Sequence, residues 1–451
     1  MTLLRPKAFI AAFWLASVIT VGVLAWQGPA WWDTDVYWTA MRVLERGGDP
    51  YAEGIAAQQS FHAQNRDEHA KPPMTYVYSP LTLPILRALG HVPAVALAAA
   101  YDAALLSGLL LQLWAAWKMA LPYERRVLPF LFPAVAFFPG LLNDDVLLSG
   151  NVVYPLYGIV FAAAVRGWQR NRWGWYYAAV LAASCCKAPL LSLLALPVFF
   201  GQKQWWKAAS CGIAGVALFA SQALIWPKLF AEYLTAVNLQ FTFNDDFGFG
   251  PAGLLGSVLW HAGMPYARPS QVLYFVFAGC IAAALWYTMH RLRSAPEIRF
   301  AWLPVVLVGT ILLNPRVKEY DIAPLTIPQV LIAWRSYRAL RAAFLHRQSA
   351  TRPFLAWSAA QAEPADTRKM RMDWNSVLSI AAASGWFLAL NLAAGSGPWK
   401  PIALTVLLLA FGAGTWATIY QSRLQTRSAA RLATGAMSEE ASLVGSSGTA
   451  L

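Results

Sequence analysis

An all-helical protein threaded many times through a membrane is the fold class the sequence predicts, and three observations predict it. Of 451 residues, 58% are hydrophobic and only 13% are charged, about half the charged share of an average soluble domain. Apolar runs recur from Ala8 to Tyr420, and many have the length of about twenty residues that a helix needs to cross a hydrocarbon core. The runs are continuous rather than alternating, which argues for helices and against a barrel.

The 22 tryptophans and 17 tyrosines gather near run ends. Trp26, Trp31, Trp32, Trp173, Trp175, Tyr176 and Trp205 therefore read as anchors at the headgroup level. The net charge of +13 is spread between apolar runs rather than forming an aromatic-laced basic domain, so it speaks for orientation in a bilayer and not for nucleic acid. Cys185, Cys186, Cys211 and Cys280 all lie inside apolar stretches, which predicts reduced structural thiols. Arg5 and Lys7 precede the apolar run 8–26, and no small-residue cleavage site follows it, so this segment reads as an uncleaved first span.

Loops rich in Lys and Arg should be cytoplasmic, which gives a running test of topology. The N-terminus is placed inside, and the charge-balanced stretch 27–74 becomes a first external loop with helical patterning. Residues 75–89, interrupted by Pro80 and Pro84, read as a re-entrant or surface-lying element. Spans follow at 94–117, 127–142 and 146–165, then a short out-and-back pair at 175–189 and 190–200, and a further span at 208–226. A second external loop covers 227–269, and spans at 271–290, 300–313 and 322–334 lead into a basic cytoplasmic loop, 335–373. Spans at 374–394 and 401–420 complete about twelve crossings in one domain over 1–430 with both termini cytoplasmic, and the polar tail 431–451 is expected to be disordered.

Polar residues collect on the external side of this scheme in four places. These are Asp33 with Asp35, Asn143-Asp144-Asp145 with Gly150-Asn151, the stretch from Asn238 to Asp246, and Asn314-Pro315-Arg316-Val317-Lys318-Glu319-Tyr320. Arg316 and Lys318 sit outside against the positive-inside trend, and the economical reason is an anionic ligand such as a lipid phosphate. A carboxylate beside such cations suits one reaction: it removes a proton from an acceptor hydroxyl while the cations stabilise a departing phosphate. That is sugar transfer from a lipid phosphate.

The runs Asp33-Thr34-Asp35-Val36-Tyr37, Gly47-Gly48-Asp49-Pro50-Tyr51 and Tyr76-Val77-Tyr78-Ser79-Pro80 with Pro84 resemble the signature of glycosyltransferase family 87, of the GT-C fold. Gly150-Asn151 resembles its Gly-Gln-x-Asn element without the glutamine, Lys187-Ala188-Pro189 its lysine segment, and Asn314-Pro315 its late hinge, where Glu319-Tyr320 stands in place of a His-Tyr pair. The resemblance runs in order from Trp31 to Pro328 and implies a polyprenyl-phosphate-mannose-dependent transferase with an aspartate base in the first external loop. Asp33 matches that base by its distance to the tyrosine, and Asp35 is the reserve.

On this reading Arg316, Lys318 and Lys187 hold the donor phosphate, and Tyr37, Tyr51, Tyr76, Tyr78, Asp144, Asp145, Asn151, Glu319 and Tyr320 line the substrate cavity. The partners are a polyprenyl-phosphate sugar, a lipid or glycan acceptor and the bilayer of a cell membrane, with no nucleic acid; no metal or other cofactor is expected. Plainer roles exist for each residue. Asp33 and Asp35 also suit a helix start, Gly47 to Pro50 a helix stop and turn, Asp144 and Asp145 another helix start, and Lys187 a snorkelling lysine. A transporter or lipid flippase is the rival, but it needs a midplane site reachable from both faces, whereas these polar residues gather on one.

Overall fold

The computed structural model describes residues 32–64, 73–125, 128–129, 149–200, 204–243, 246–292, 299–348 and 403–424, with isolated positions 15, 19 and 401. Among them every regular element is helical. In chain order the longer α-helices are α1 (Trp32–Glu45), α2 (Pro50–Gln64), α3 (Leu83–Gly90), α4 (Ala94–Met119), α5 (Val153–Arg170), α6 (Gly174–Cys186), α7 (Trp205–Ile225), α8 (Pro227–Phe243), α9 (Pro251–His261), α10 (Ala267–Arg291), α11 (Arg299–Leu312), α12 (Thr326–Gln348) and α13 (Ala403–Leu424).

Four of them, α4, α7, α10 and α13, are long and apolar enough to cross a membrane. Helix α4 alone reaches ~39 Å at 1.5 Å per residue. It packs most extensively against α5, where the two backbones meet at glycines: a Cβ on Gly158 would stand 2.5 Å from the Gly108 carbonyl oxygen. Small residues at such a crossing let two helices approach closely without help from water. The main core joins α4, α5, α6, α11, α12 and α13 around Tyr157, Phe161, Trp302 and Leu307.

Several expectations are revised. Residues 190–200 do not form a crossing helix; Ala188–Ala195 and Val198–Phe200 are 3-10 turns, short because Pro189 and Pro197 interrupt the ladder. The helix expected from 146 begins at Val153, since Ser149-Gly150 forms a turn with Gly150 at φ +69°. Trp173 and Tyr176 are core residues rather than interface anchors: Tyr176 is fully buried, donates to the Leu193 carbonyl at 2.5 Å and packs edge-on against Trp173. Trp175 and Trp205 are exposed, as anchoring requires. The expected spans 8–26, 127–142 and 374–394, the tail 431–451, and Asp144 and Asp145 lie outside the described residues or almost wholly so.

The stretch 75–89 contains only the 3-10 turn Pro80–Thr82 and the eight residues of α3, ~12 Å of helix and too short to cross. With α1, α2 and α8 it builds a second, smaller core of Tyr37, Met41, Tyr51, Tyr76, Leu83, Leu86 and Ala236. Helix α1 contributes through the spacing Tyr37, Ala40, Met41, one face at helical period. It stops at Gly47 (φ +77°), whose neighbour Gly48 donates to the Val43 carbonyl. Asp49 then caps α2 through hydrogen bonds from Tyr51 N and Ala52 N, with Pro50 at the first helical position. The run from Gly47 to Pro50 is thus the stop and turn that its composition suggests.

Candidate functional site

Asp33 lies in the first turn of α1, half-buried, while Asp35 is exposed. Its backbone N–H donates to the Ser149 carbonyl at 2.9 Å, and its Oδ2 accepts from Asn151 Nδ2 at 3.0 Å. The carboxylate therefore reaches across to the turn before α5. That turn is held by the same neighbours: Tyr101 donates to the Gly150 carbonyl at 2.5 Å, and Val152 N donates to the Tyr37 hydroxyl at 3.2 Å. The Tyr37 and Tyr78 hydroxyls are 2.6 Å apart, and Tyr51, one layer behind, donates to the Tyr78 carbonyl at 2.6 Å. Burial pushes the phenols of Tyr37 and Tyr78 well above their ordinary value, with Asp33's negative charge adding to the effect, so both stay neutral.

Beside this cluster opens a cavity of about 160 Å³ with an almost wholly apolar lining, including Tyr37, Met41, Tyr76, Tyr78, Leu97 and Tyr101. Thr34 also lines it, and its hydroxyl is buried with no hydrogen-bond partner among the described residues. Of the expected cavity tyrosines, Tyr37, Tyr76 and Tyr78 are in the wall; Tyr51 is buried behind it, and Tyr320 belongs to the neighbouring cation cluster.

That cluster joins three elements. Lys187 follows the last residue of α6 and bonds both oxygens of the fully buried Asp321, at 2.9 and 3.0 Å. Asp321 also accepts from the Tyr157 hydroxyl at 2.7 Å and from Lys318 N at 2.8 Å. Arg316 Nη2 meets Asp246 Oδ2 at 2.5 Å, and Lys318 pairs with Asp246 Oδ1. Burial works to raise the Asp246 carboxyl, yet Lys318 and Arg316 outweigh it and hold the group well below the usual carboxylate range. Arg316 stacks 4.5 Å over Phe241, and Lys187 lies 3.8 Å over Tyr320. Lys187 is within electrostatic reach of Arg316 and Lys318, and Tyr320, raised first by burial, is within reach of Tyr78. The carboxylate side and the cation side are therefore neighbours. The Glu319 backbone opens the helical turn Glu319–Ile322.

The opposite end of α4 has its own landmark, the buried pair of Arg335 and Glu124, in which Arg335 also caps the Met119 carbonyl. Asp33, Asn151, Lys187, Asp246, Arg316, Lys318 and Tyr320 thus share one end of the bundle, away from that pair. Sequence reading missed Asp321, Tyr157 and Tyr101, and it kept Asp246 only as the end of the polar stretch from Asn238. Lys187 carried the signal for Asp321, because a lysine in an apolar run calls for a partner acid.

Among the described residues no group of three or more His, Cys, Asp or Glu side chains gathers as a metal site. The chain matches no family model, no curated protein and no solved structure.

Proposed function

We propose that the chain is a GT-C-type membrane glycosyltransferase that moves a hexose, mannose by resemblance, from a polyprenyl-phosphate donor to a lipid or glycan acceptor on the external face. One observation carries the reading: a half-buried carboxylate, an apolar cavity and a cluster of three cations adjoin at one end of the helices. Asp33 takes the proton of the acceptor hydroxyl. The acceptor oxygen forms its bond to the anomeric carbon as the bond from that carbon to the phosphate oxygen breaks, and the electron pair leaves with the phosphate, so the anomeric centre inverts.

Arg316, Lys318 and Lys187 receive the charge that develops on the phosphate. Asp246 and Asp321 keep those cations oriented and partly neutralised before the donor arrives. The tyrosine-lined cavity suits the first isoprene units of the donor, with the Thr34 hydroxyl supplying a polar contact at its wall. Asp33 is preferred to Asp35 as base because it is half-buried and bonded to Asn151.

The test is transfer of label from a panel of polyprenyl-phosphate sugars by purified protein in vesicles. Wild type should transfer at least one hexose, and Asp33→Asn should lose activity by ~10²–10⁴-fold with its thermal unfolding preserved. Full activity in a folded Asp33→Asn protein would remove Asp33 from the mechanism. Movement of the labelled lipid between leaflets with no transfer from any donor would assign the chain to the flippases instead.

A further inference from the structure

The contact between Asp33 and Asn151 is more specific than a wall residue touching a base. Asn151 is almost fully buried. Its Oδ1 accepts from Val153 N at 2.9 Å at the start of α5, which fixes the amide orientation, because a backbone N–H can bond only the oxygen. Its Nδ2 is therefore the atom turned to Asp33, and it is a donor. The turn that carries Asn151 has no freedom to drift. Ser149 O is held by Asp33 N, Gly150 O by Tyr101, Val152 N by Tyr37, and Tyr154 N returns to Asn151 O at 3.1 Å. The first three of these ties join α1, or a tyrosine beside it, to the turn that opens α5.

We propose that Asn151 is a positioning residue, one whose amide, locked by Val153, holds the Asp33 carboxylate in a single orientation in its charged form. The argument rests on the reading of Asp33 as base, and it adds a division of labour within one side chain. The oxygen starts a helix while the nitrogen orients a carboxylate. Donation to a carboxylate favours the ionised form, and such charge-assisted bonds are the stronger kind. The groups facing Asp33 include, among the described residues, the phenols of Tyr37 on α1, Tyr78 on the strap before α3 and Tyr101 on α4. Asp35 on its own helix is exposed.

The two roles can be separated because Asp and Asn cap helices about equally well. Asn151→Asp keeps an acceptor for Val153 N and removes the donor; Asn151→Ala removes both. The Asp33 carboxyl is followed by ¹³C NMR on the full-length protein labelled at aspartate, with Asp33→Asn identifying its signal. In Asn151→Ala, which removes the donor and adds no charge, the Asp33 titration should move up by one unit or more, about the worth of one charge-assisted hydrogen bond; in Asn151→Asp, where a second carboxylate adds like-charge repulsion, it should move further while the unfolding midpoint stays near wild type. The acid limb of the pH–rate profile for transfer should move in the same direction. The midpoint should fall in Asn151→Ala, which also loses the acceptor for Val153 N.

An Asp33 titration that stays in place in folded Asn151→Ala would overturn the proposal and leave Asn151 as a helix cap. A titration that moves in a protein whose wild type transfers no sugar would keep the positioning role and dismiss the transferase reading, so the two failures are distinct.

Discussion

Glu232 on α8 faces Asp49, the cap of α2, and the pair makes the docking of these two helices sensitive to pH. The Glu232 carboxyl is pushed up to about 7, chiefly by a hydrogen bond shared with Asp49, then by burial and by Asp49's charge, with the exposed Lys228 pulling the other way. An unfolded glutamate releases its proton near pH 4.3, so between that value and about 7 the folded state binds more protons than the unfolded one. Stability must then fall as pH rises through this window. The unfolding midpoint in detergent should drop from pH 5.5 to 8, and Glu232→Gln, which cannot ionise, should flatten the slope; equal slopes would show that the pair carries no linkage. Residues of this kind were only partly legible in the sequence. Asp33 stood out because its neighbours form an ordered set of motifs, and Lys187 because a cation in an apolar run has no cheap place to go. Asp321 was missed although it follows Tyr320 directly, and nothing local says that it is buried against Tyr157, 164 positions earlier in the chain. Pairing over such separations is a property of the packed helices.

At the scale of elements, the loop between α8 and α9 matters because it delivers Asp246 to the cations. It is stitched to the hinge 314–318 by Phe249 N donating to the Val317 carbonyl at 2.7 Å, and this close approach passes through Gly248 at φ +90°. A Cβ there would lie 2.9 Å from the Val317 oxygen, a backbone atom with little room to yield. Gly263, also at positive φ (+68°), has nothing within 4 Å of the same position. Gly263→Ala should therefore cost only the conformational strain, about 1–2 kcal/mol, whereas Gly248→Ala should cost more and should loosen the loop. Hydrogen exchange at Phe249 N reads that loosening directly, and faster exchange in Gly248→Ala alone is the expected pattern; equal effects of the two substitutions would mean that the stitch is not tight. Capping chemistry made the α1 to α2 turn legible, since Gly47 and Asp49 each have one favoured job. The turns over Ala188–Phe200 were not, because the apolar run suits α-helix and 3-10 geometry alike and Pro189 stands where a new helix could begin.

For the molecule as a whole, orientation follows from how the two ends treat their cations. At the site end, Lys187, Arg316 and Lys318 are tied to the carboxylates of Asp321 and Asp246. At the other end Arg170, Arg172 and Lys207 are exposed, close to where α5 ends and α7 begins, on the side where Arg335 meets Glu124. Short connections rich in Lys and Arg mark the cytoplasmic side of a membrane protein, and the one between α5 and α6 carries Arg170 and Arg172. The site end should accordingly face out. Asp35 in α1 and Arg268 at the start of α10 are exposed at that end, so in a background without Cys185, Cys186, Cys211 and Cys280 the substitutions Asp35→Cys and Arg268→Cys should react with an impermeant maleimide on intact cells. Arg172→Cys and Lys207→Cys should react only after permeabilisation. Because α4 and α5 both start at the site end, where Tyr101 bonds the Gly150 carbonyl, and run the same way toward Arg172, positions 35 and 172 lie at opposite ends whatever happens in the segments outside the described residues. Labelling of positions 35 and 268 from opposite sides would contradict the fold itself, and labelling of both from the cytoplasm would reverse the orientation and place the proposed chemistry on the face where soluble sugar donors are found.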